Sequence, residues 1–160
     1  LIRAAVSKFS GVQRRFTKVG EVEGVVVIDD YAHHPTELKA TFHAARQLVK
    51  SNKVVTVFQP HKYTRTRDLF DEFCNSFADT DLVIIDNIYS AGQDPIEGIS
   101  QDSLISGIEE SGHKNVIKLN NVSDLSGIIK KTTQKGDMII FAGAGSISNI
   151  AKDFVKKTLA

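Results

Sequence analysis

A chain of 160 residues, 41% hydrophobic and 24% charged, has the composition of one folded domain with a sizeable core, which excludes a disordered or fibrous class. Its charges nearly cancel at +1, which excludes the strong positive field of a nucleic-acid binder or a polybasic membrane surface and makes any anion site local. The single cysteine, Cys74, excludes an internal disulfide framework and a multi-cysteine zinc site, and it fits a reducing, cytoplasmic setting.

No apolar stretch approaches the length of a transmembrane helix, and no signal-peptide core leads the sequence. The chain starts at Leu1 inside a helical-looking pattern, so residues 1–160 are expected to form a single domain cut from a longer polypeptide. In chain order, Phe16 to Val22 alternates partially and joins Val25 through Glu23-Gly24, which predicts a hairpin and one antiparallel edge strand. Apolar β-branched runs follow at Val25–Ile28, Val54–Phe58, Leu82–Ile85, Val116–Leu119 and Met138–Phe141. Amphipathic segments of helical length alternate with them: Pro35–Lys50, Thr66–Phe77, Ser100–Glu110, Ser123–Thr132 and Ser146–Lys157. Pro35 suits a first helical turn, and Ser123 and Ser146 suit N-caps. This alternation predicts an α/β, Rossmann-like, mostly parallel six-stranded sheet with one antiparallel edge strand and helices on both faces. The glycine-containing connection Ile88–Gly98 is expected to be a mobile loop near the carboxyl ends of the strands.

Ligands of open α/β sheets bind at those carboxyl ends. The first parallel strand runs into Asp29-Asp30-Tyr31-Ala32-His33-His34-Pro35-Thr36-Glu37, a density of carboxylates and imidazoles that a fold does not need. A strand-end carboxylate can accept ribose hydroxyls, and a neutral imidazole can donate to or accept from a polar substrate. Alternatively, Asp29 or Asp30 caps the following helix, and His34 is merely exposed. The second strand ends in Phe58-Gln59-Pro60-His61-Lys62-Tyr63-Thr64-Arg65-Thr66-Arg67-Asp68, one imidazole and three cations. Cations at a helix start oppose its dipole, so either they serve an anionic ligand or they form a solvated basic loop. Arg67, followed by Asp68, reads as structural. The last strand ends in Phe141-Ala142-Gly143-Ala144-Gly145-Ser146-Ile147-Ser148. The dinucleotide fingerprint would need a glycine at Ser148, so the glycines read as tight packing more than ligand contact. No GxxxxGK[ST] phosphate loop is present, and His43 and His113 fall outside both clusters.

DDYAHHPTE followed by FQPHKYTRTRDLFDEF, with GVQRRF (Gly11–Phe16) before and GAGSIS (Gly143–Ser148) after, resembles the third domain of the Mur ligases, in the branch that adds L-alanine to a muramate. The resemblance implies an ATP-dependent ligase of peptidoglycan synthesis. It phosphorylates the carboxylate of UDP-N-acetylmuramate, and the amine of L-alanine attacks the acyl phosphate. This chain would be the third part of a three-domain enzyme and inactive alone, with the N-terminal and central domains supplying the UDP-sugar site, the phosphate loop and most ligands of Mg2+. By the same resemblance Arg15 and Asp30 contact ATP, whereas Tyr31, His33, His61 and Arg65 surround L-alanine; no catalytic residue and no metal ligand is implied here. Lys62 stands where the family often has arginine, and Ser146 where relatives carry Asp or Asn, so neither receives a role. The murein tripeptide ligases share DDYAHHPT but not QPHKYTRTR, and a receiver-like regulatory module would leave the clustered His and Arg unexplained.

Overall fold

In the computed structural model, which describes residues 14–159, β1 (Thr17–Val22) and β2 (Val25–Asp30) form the expected hairpin. Glu23 and Gly24 both have positive φ, 51° and 82°, the signature of a two-residue type I′ turn. Four further strands lie parallel to β2: β3 (Val54–Phe58), β4 (Leu82–Ile85), β5 (Val116–Lys118) and β6 (Met138–Ala142). The sheet order is β1-β2-β6-β3-β4-β5, so the last strand is inserted between the first two parallel ones. Five parallel strands and one antiparallel edge strand match the expected architecture.

Strand side chains alternate between two cores, as the pleat dictates. Val26, Ile28, Val54, Phe58, Val83, Ile85 and Ile140 pack on one face with Leu38 and Phe42 of α1 (Pro35–Val49), Phe73 of α3 (Phe70–Cys74) and Ile108 of α4 (Gln101–Glu110). Val27, Val55, Val57, Ile84, Ile139 and Phe141 pack on the other with Ile129 of α5 (Leu125–Thr132) and Phe154 of α6 (Ile147–Leu159). Cys74 is buried in the first core, and burial pushes its thiol up to about 11, which leaves it a small apolar filler. No helix among the described residues is long and apolar enough to cross a membrane.

Two local expectations change. The segment expected as one helix over Thr66–Phe77 is two, α2 (Tyr63–Asp68) and α3, broken where Leu69 leaves helical geometry at φ −116°, ψ 24°. It also starts earlier, because the Gln93 side chain accepts from the Thr64 amide at 3.1 Å and caps α2 from a distant loop. Ser123 lies within a 3-10 turn (Val122–Asp124), and α5 has no side-chain cap. Ser146 holds the position before α6, its carbonyl accepting from the Ile150 amide at 3.3 Å and its hydroxyl from the Gln59 amide at 3.0 Å.

The helices after β2 and β3 cover one face, and those after β5 and β6 cover the other. Connections therefore diverge on either side of β6, which opens a crevice at the carboxyl ends of β2, β6 and β3.

Candidate functional site

Both sequence clusters converge on that crevice, because β6 alone separates β2 from β3. At the end of β2, Asp30 is 7% exposed, and its three donors leave one acceptor site on Oδ1. It accepts from the amides of Phe16 (2.9 Å) and Ala32 (2.8 Å) and from the Thr41 hydroxyl (3.3 Å). Burial nevertheless raises its carboxyl above the usual range, outweighing these three donors. Asp29, also buried, accepts from Arg14 and from the Ser148 hydroxyl. Neither aspartate caps α1. That cap is His34, whose Nδ1 accepts from the Thr36 amide at 3.3 Å while Glu37 accepts from the His34 amide at 3.1 Å, a reciprocal capping box.

Above these carboxylates runs a row of rings. The Arg14 guanidinium lies 5.1 Å from the centre of the Tyr31 ring, Tyr31 meets His33 edge-on at 4.9 Å, and His33 meets His61 at 6.3 Å. His61 in turn stacks on Tyr89 at 5.4 Å with an interplanar angle of 10°. Lys62, at φ 73°, turns the chain sharply into α2, where Arg65 reaches back to His61. Its Nη1 donates to the His61 carbonyl at 2.9 Å and faces His61 Nδ1 at 3.1 Å.

The partners fix complementary tautomers for the two histidines. His33 Nδ1 lies 2.9 Å from the Tyr31 carbonyl, which can only accept, so Nδ1 carries the proton and Nε2 is left as an acceptor. His61 Nδ1 faces a guanidinium, which can only donate, so its proton is on Nε2. Burial above all, and next the charge of Arg65, lower the His61 pKa and favour the neutral ring. The pair thus offers one acceptor and one donor side by side. Because the folded pKa is depressed, His61 contributes stability above the unfolded value of about 6.5, and that contribution is lost as pH falls through this value toward the folded one. Titration of the His61 imidazole by NMR is expected to place its pKa below a free histidine's, and Arg65→Ala to raise it; an unchanged value in the variant would contradict the assigned contact.

Gln59, unremarked in the sequence reading, ties the three strand ends together. Its amide donates to Asp86 (3.2 Å) and Ser146 (3.0 Å), and its carbonyl accepts from the Ile147 amide (3.1 Å). The glycine turn after β6 packs against it. A Cβ on Gly143, at φ 149°, would stand 2.8 Å from the Gln59 backbone oxygen, so the turn is built for close backbone approach, as expected from the sequence. Gly143→Ala combines that clash with an unfavourable φ and is expected to cost about 2–3 kcal/mol in denaturant unfolding. A loss below the error of the measurement would show that the turn relaxes freely.

The structure therefore brings together Tyr31, His33, His61 and Arg65. Asp30 underlies them, and Arg15 is exposed, with its neighbour Arg14 occupying the crevice. Arg14 donates to the Gly143 carbonyl at 2.7 Å and pairs with Asp29, contacts that required the folded sheet to see. The Ile88–Gly98 loop, expected to be mobile, is tied down in its first half: Tyr89 exchanges backbone hydrogen bonds with Pro60 and Lys62, and Gln93 grips Thr64 on both its amide and hydroxyl. His43 and His113 stay outside the crevice. Among the described residues no group of His, Cys, Asp or Glu is arranged to hold a metal ion.

Comparison with known proteins follows the same line. The family model described as "Mur ligase, glutamate ligase domain" matches residues 14–145. A UDP-N-acetylmuramate–L-alanine ligase of Rhodospirillum centenum is 49% identical over 150 residues, which is 94% of this chain and 31% of that relative. The chain thus spans about a third of the relative's length. Among solved structures, a Thermotoga maritima UDP-N-acetylmuramate-alanine ligase superposes with a TM-score of 0.74 at 24% identity, covering 95% of this chain and 31% of that one. A single domain of a Haemophilus ducreyi protein, described as a UDP-N-acetylmuramate:L-alanyl-gamma-D-glutamyl-meso-diaminopimelate ligase, superposes at 0.63 with 25% identity, covering 88% of this chain and 97% of that one.

Proposed function

The chain belongs to the Mur ligase, glutamate ligase domain family, and from that premise we propose that it is the amino-acid-binding third domain of a cytoplasmic, ATP-dependent ligase that joins L-alanine to UDP-N-acetylmuramate. The observation that carries the reading is the free edge of Arg65. Nη1 is spent on His61, whereas Nε and Nη2 have no hydrogen-bond partner among the described residues, which leaves a planar donor pair for a carboxylate. His33 Nε2 accepts from the amine of the same amino acid, and His61 Nε2–H donates to its oxygen atoms. Tyr31, 42% exposed, walls the side-chain end, where a methyl fits and larger groups meet the ring. Holding the amine against an acyl phosphate supplies orientation, and no covalent nucleophile is required of this chain.

On the nucleotide side, Asp30 is assigned to the ribose and Arg15, exposed beside Arg14, to the phosphates. Mg2+ accompanies ATP and is assigned to the parts of the ligase outside this chain. The other two domains close the remaining walls of both pockets.

Phosphate release by the full-length protein, with UDP-N-acetylmuramate, ATP and each of L-alanine, glycine, L-serine and L-alanyl-γ-D-glutamyl-meso-diaminopimelate, tests the reading. Preferential turnover of L-alanine is expected. Turnover with the tripeptide alone would move the chain to the peptide-adding relatives, and no turnover with any acceptor would refute ligase activity.

A further inference from the structure

Tyr89 stands outside every motif that carries the proposed function, yet it completes the row of rings. Its ring is stacked on His61 at 5.4 Å and 10°, whereas the other contacts in the row are edge-on. The backbone fixes it from both sides: the Tyr89 amide donates to the Pro60 carbonyl at 2.8 Å, and its carbonyl accepts from the Lys62 amide at 2.8 Å. These bonds make an isolated parallel bridge with His61, so stacking and backbone pairing lock one residue onto the other. Behind the ring there is no slack. A Cβ on Gly145 would stand 2.7 Å from Tyr89 Cγ, so the ring is wedged between the glycine turn and the imidazole.

Exposure adds a second line. Only three large hydrophobic residues are exposed among those described: Tyr31 at 42%, Tyr89 at 40% and Val122. Two of the three are the tyrosines that end the histidine row, so the row opens to solvent at both ends. We infer that Tyr89 is a positioning residue for the acceptor amino acid, holding the plane of His61 by stacking while Arg65 sets its tautomer, so that the Nε2–H is presented in one direction. The inference rests on the proposed function for its substrate. It does not rest on it for the geometry. The Gln93 clamp on Thr64 serves the same end, since it ties the Tyr89 loop to the helix that carries Arg65.

Two measurements separate this inference from the reading beneath it. In the full-length ligase, Tyr89→Ala is expected to raise KM for L-alanine about 10-fold, the size of a lost aromatic pair, with KM for ATP and UDP-N-acetylmuramate unchanged. Tyr89→Phe restores it, because the ring face and not the hydroxyl makes the contact. In the 160-residue chain, NMR titration should show the His61 pKa rising toward a free histidine's in Tyr89→Ala, as the ring that buries it is removed, and staying low in Tyr89→Phe. Equal losses for all three substrates, an unrescued phenylalanine variant, or a His61 titration indifferent to both substitutions would overturn the positioning role. If the wild-type ligase ignores L-alanine, the proposed function fails, and the titration still decides whether Tyr89 holds His61.

Discussion

On the proposed function, Arg65→Ala in the full-length protein is expected to lower kcat/KM for L-alanine about 100-fold, equivalent to about 2.7 kcal/mol, mostly through KM. The size follows from the chemistry of the contact. A guanidinium with one nitrogen already anchored loses little freedom when its remaining edge binds a carboxylate, and a charge-assisted pair of hydrogen bonds is roughly twice as strong as a neutral one. The same substitution removes the largest charge acting on His61, and the tautomer is freed at the same time. Arg65→Lys should recover only part of the loss, because an ammonium keeps the charge but not the planar pair of donors. Steady-state kinetics with L-alanine varied at saturating ATP and UDP-N-acetylmuramate provide the check, and an unchanged KM in Arg65→Ala would remove the carboxylate site from this arginine.

The second large effect is on stability. Asp30→Ala strips the acceptor from two backbone amides and the Thr41 hydroxyl beneath the crevice. Each stranded donor costs about 1–3 kcal/mol when buried, and water entering the space left by the carboxylate recovers some of it, so a net loss of about 3–4 kcal/mol is expected. For a domain of this size that lowers Tm by about 10 °C. Thermal unfolding of the 160-residue chain measures it. A melting point within about 2 °C of wild type would mean that Asp30 is not the acceptor that organises this turn, and would shift the weight of its role to the nucleotide.

Most of the fold was legible because β-branched runs and amphipathic segments alternate cleanly. The strands at Val54–Phe58 and Leu82–Ile85 have the bounds expected from their apolar runs. β2 extends two residues further, through Asp29 and Asp30, because their backbones continue the ladder with Phe141 and Ala142 while their side chains turn to local donors. Pattern reading stops a strand at the first charge, and hydrogen bonding does not. The order of strands was not legible, since nothing local reveals that β6 returns between β2 and β3, and it is this insertion that brings the two motifs together.

Within the site, the two strand-end clusters stood out by their residue types, and the family resemblance singled out Tyr31, His33, His61 and Arg65 within them. Residues that act across the fold were not singled out. Gln59 lay in plain view within a quoted motif, but an amide that bridges three strands looks in sequence like any polar residue. Tyr89 and Gln93 were hidden in a glycine-containing loop read as mobile, although one aromatic and one amide in that loop suffice to tie down its first half. Arg14 and Arg15 are adjacent and chemically identical, and which one turns into the crevice is set by the local backbone, left-handed at Arg14 (φ 59°) and at Phe16 (φ 48°), and by the partners Asp29 and Gly143.

The most direct test of the carboxylate site compares L-alanine with L-alaninamide as acceptor, in the full-length wild type and in Arg65→Ala. The wild type should prefer L-alanine by about 100-fold in kcat/KM, and the variant should lose most of that preference while retaining its weak use of the amide. Equal discrimination in the two proteins would show that Arg65 does not read the acceptor carboxylate and would contradict the assignment on which the proposed function stands.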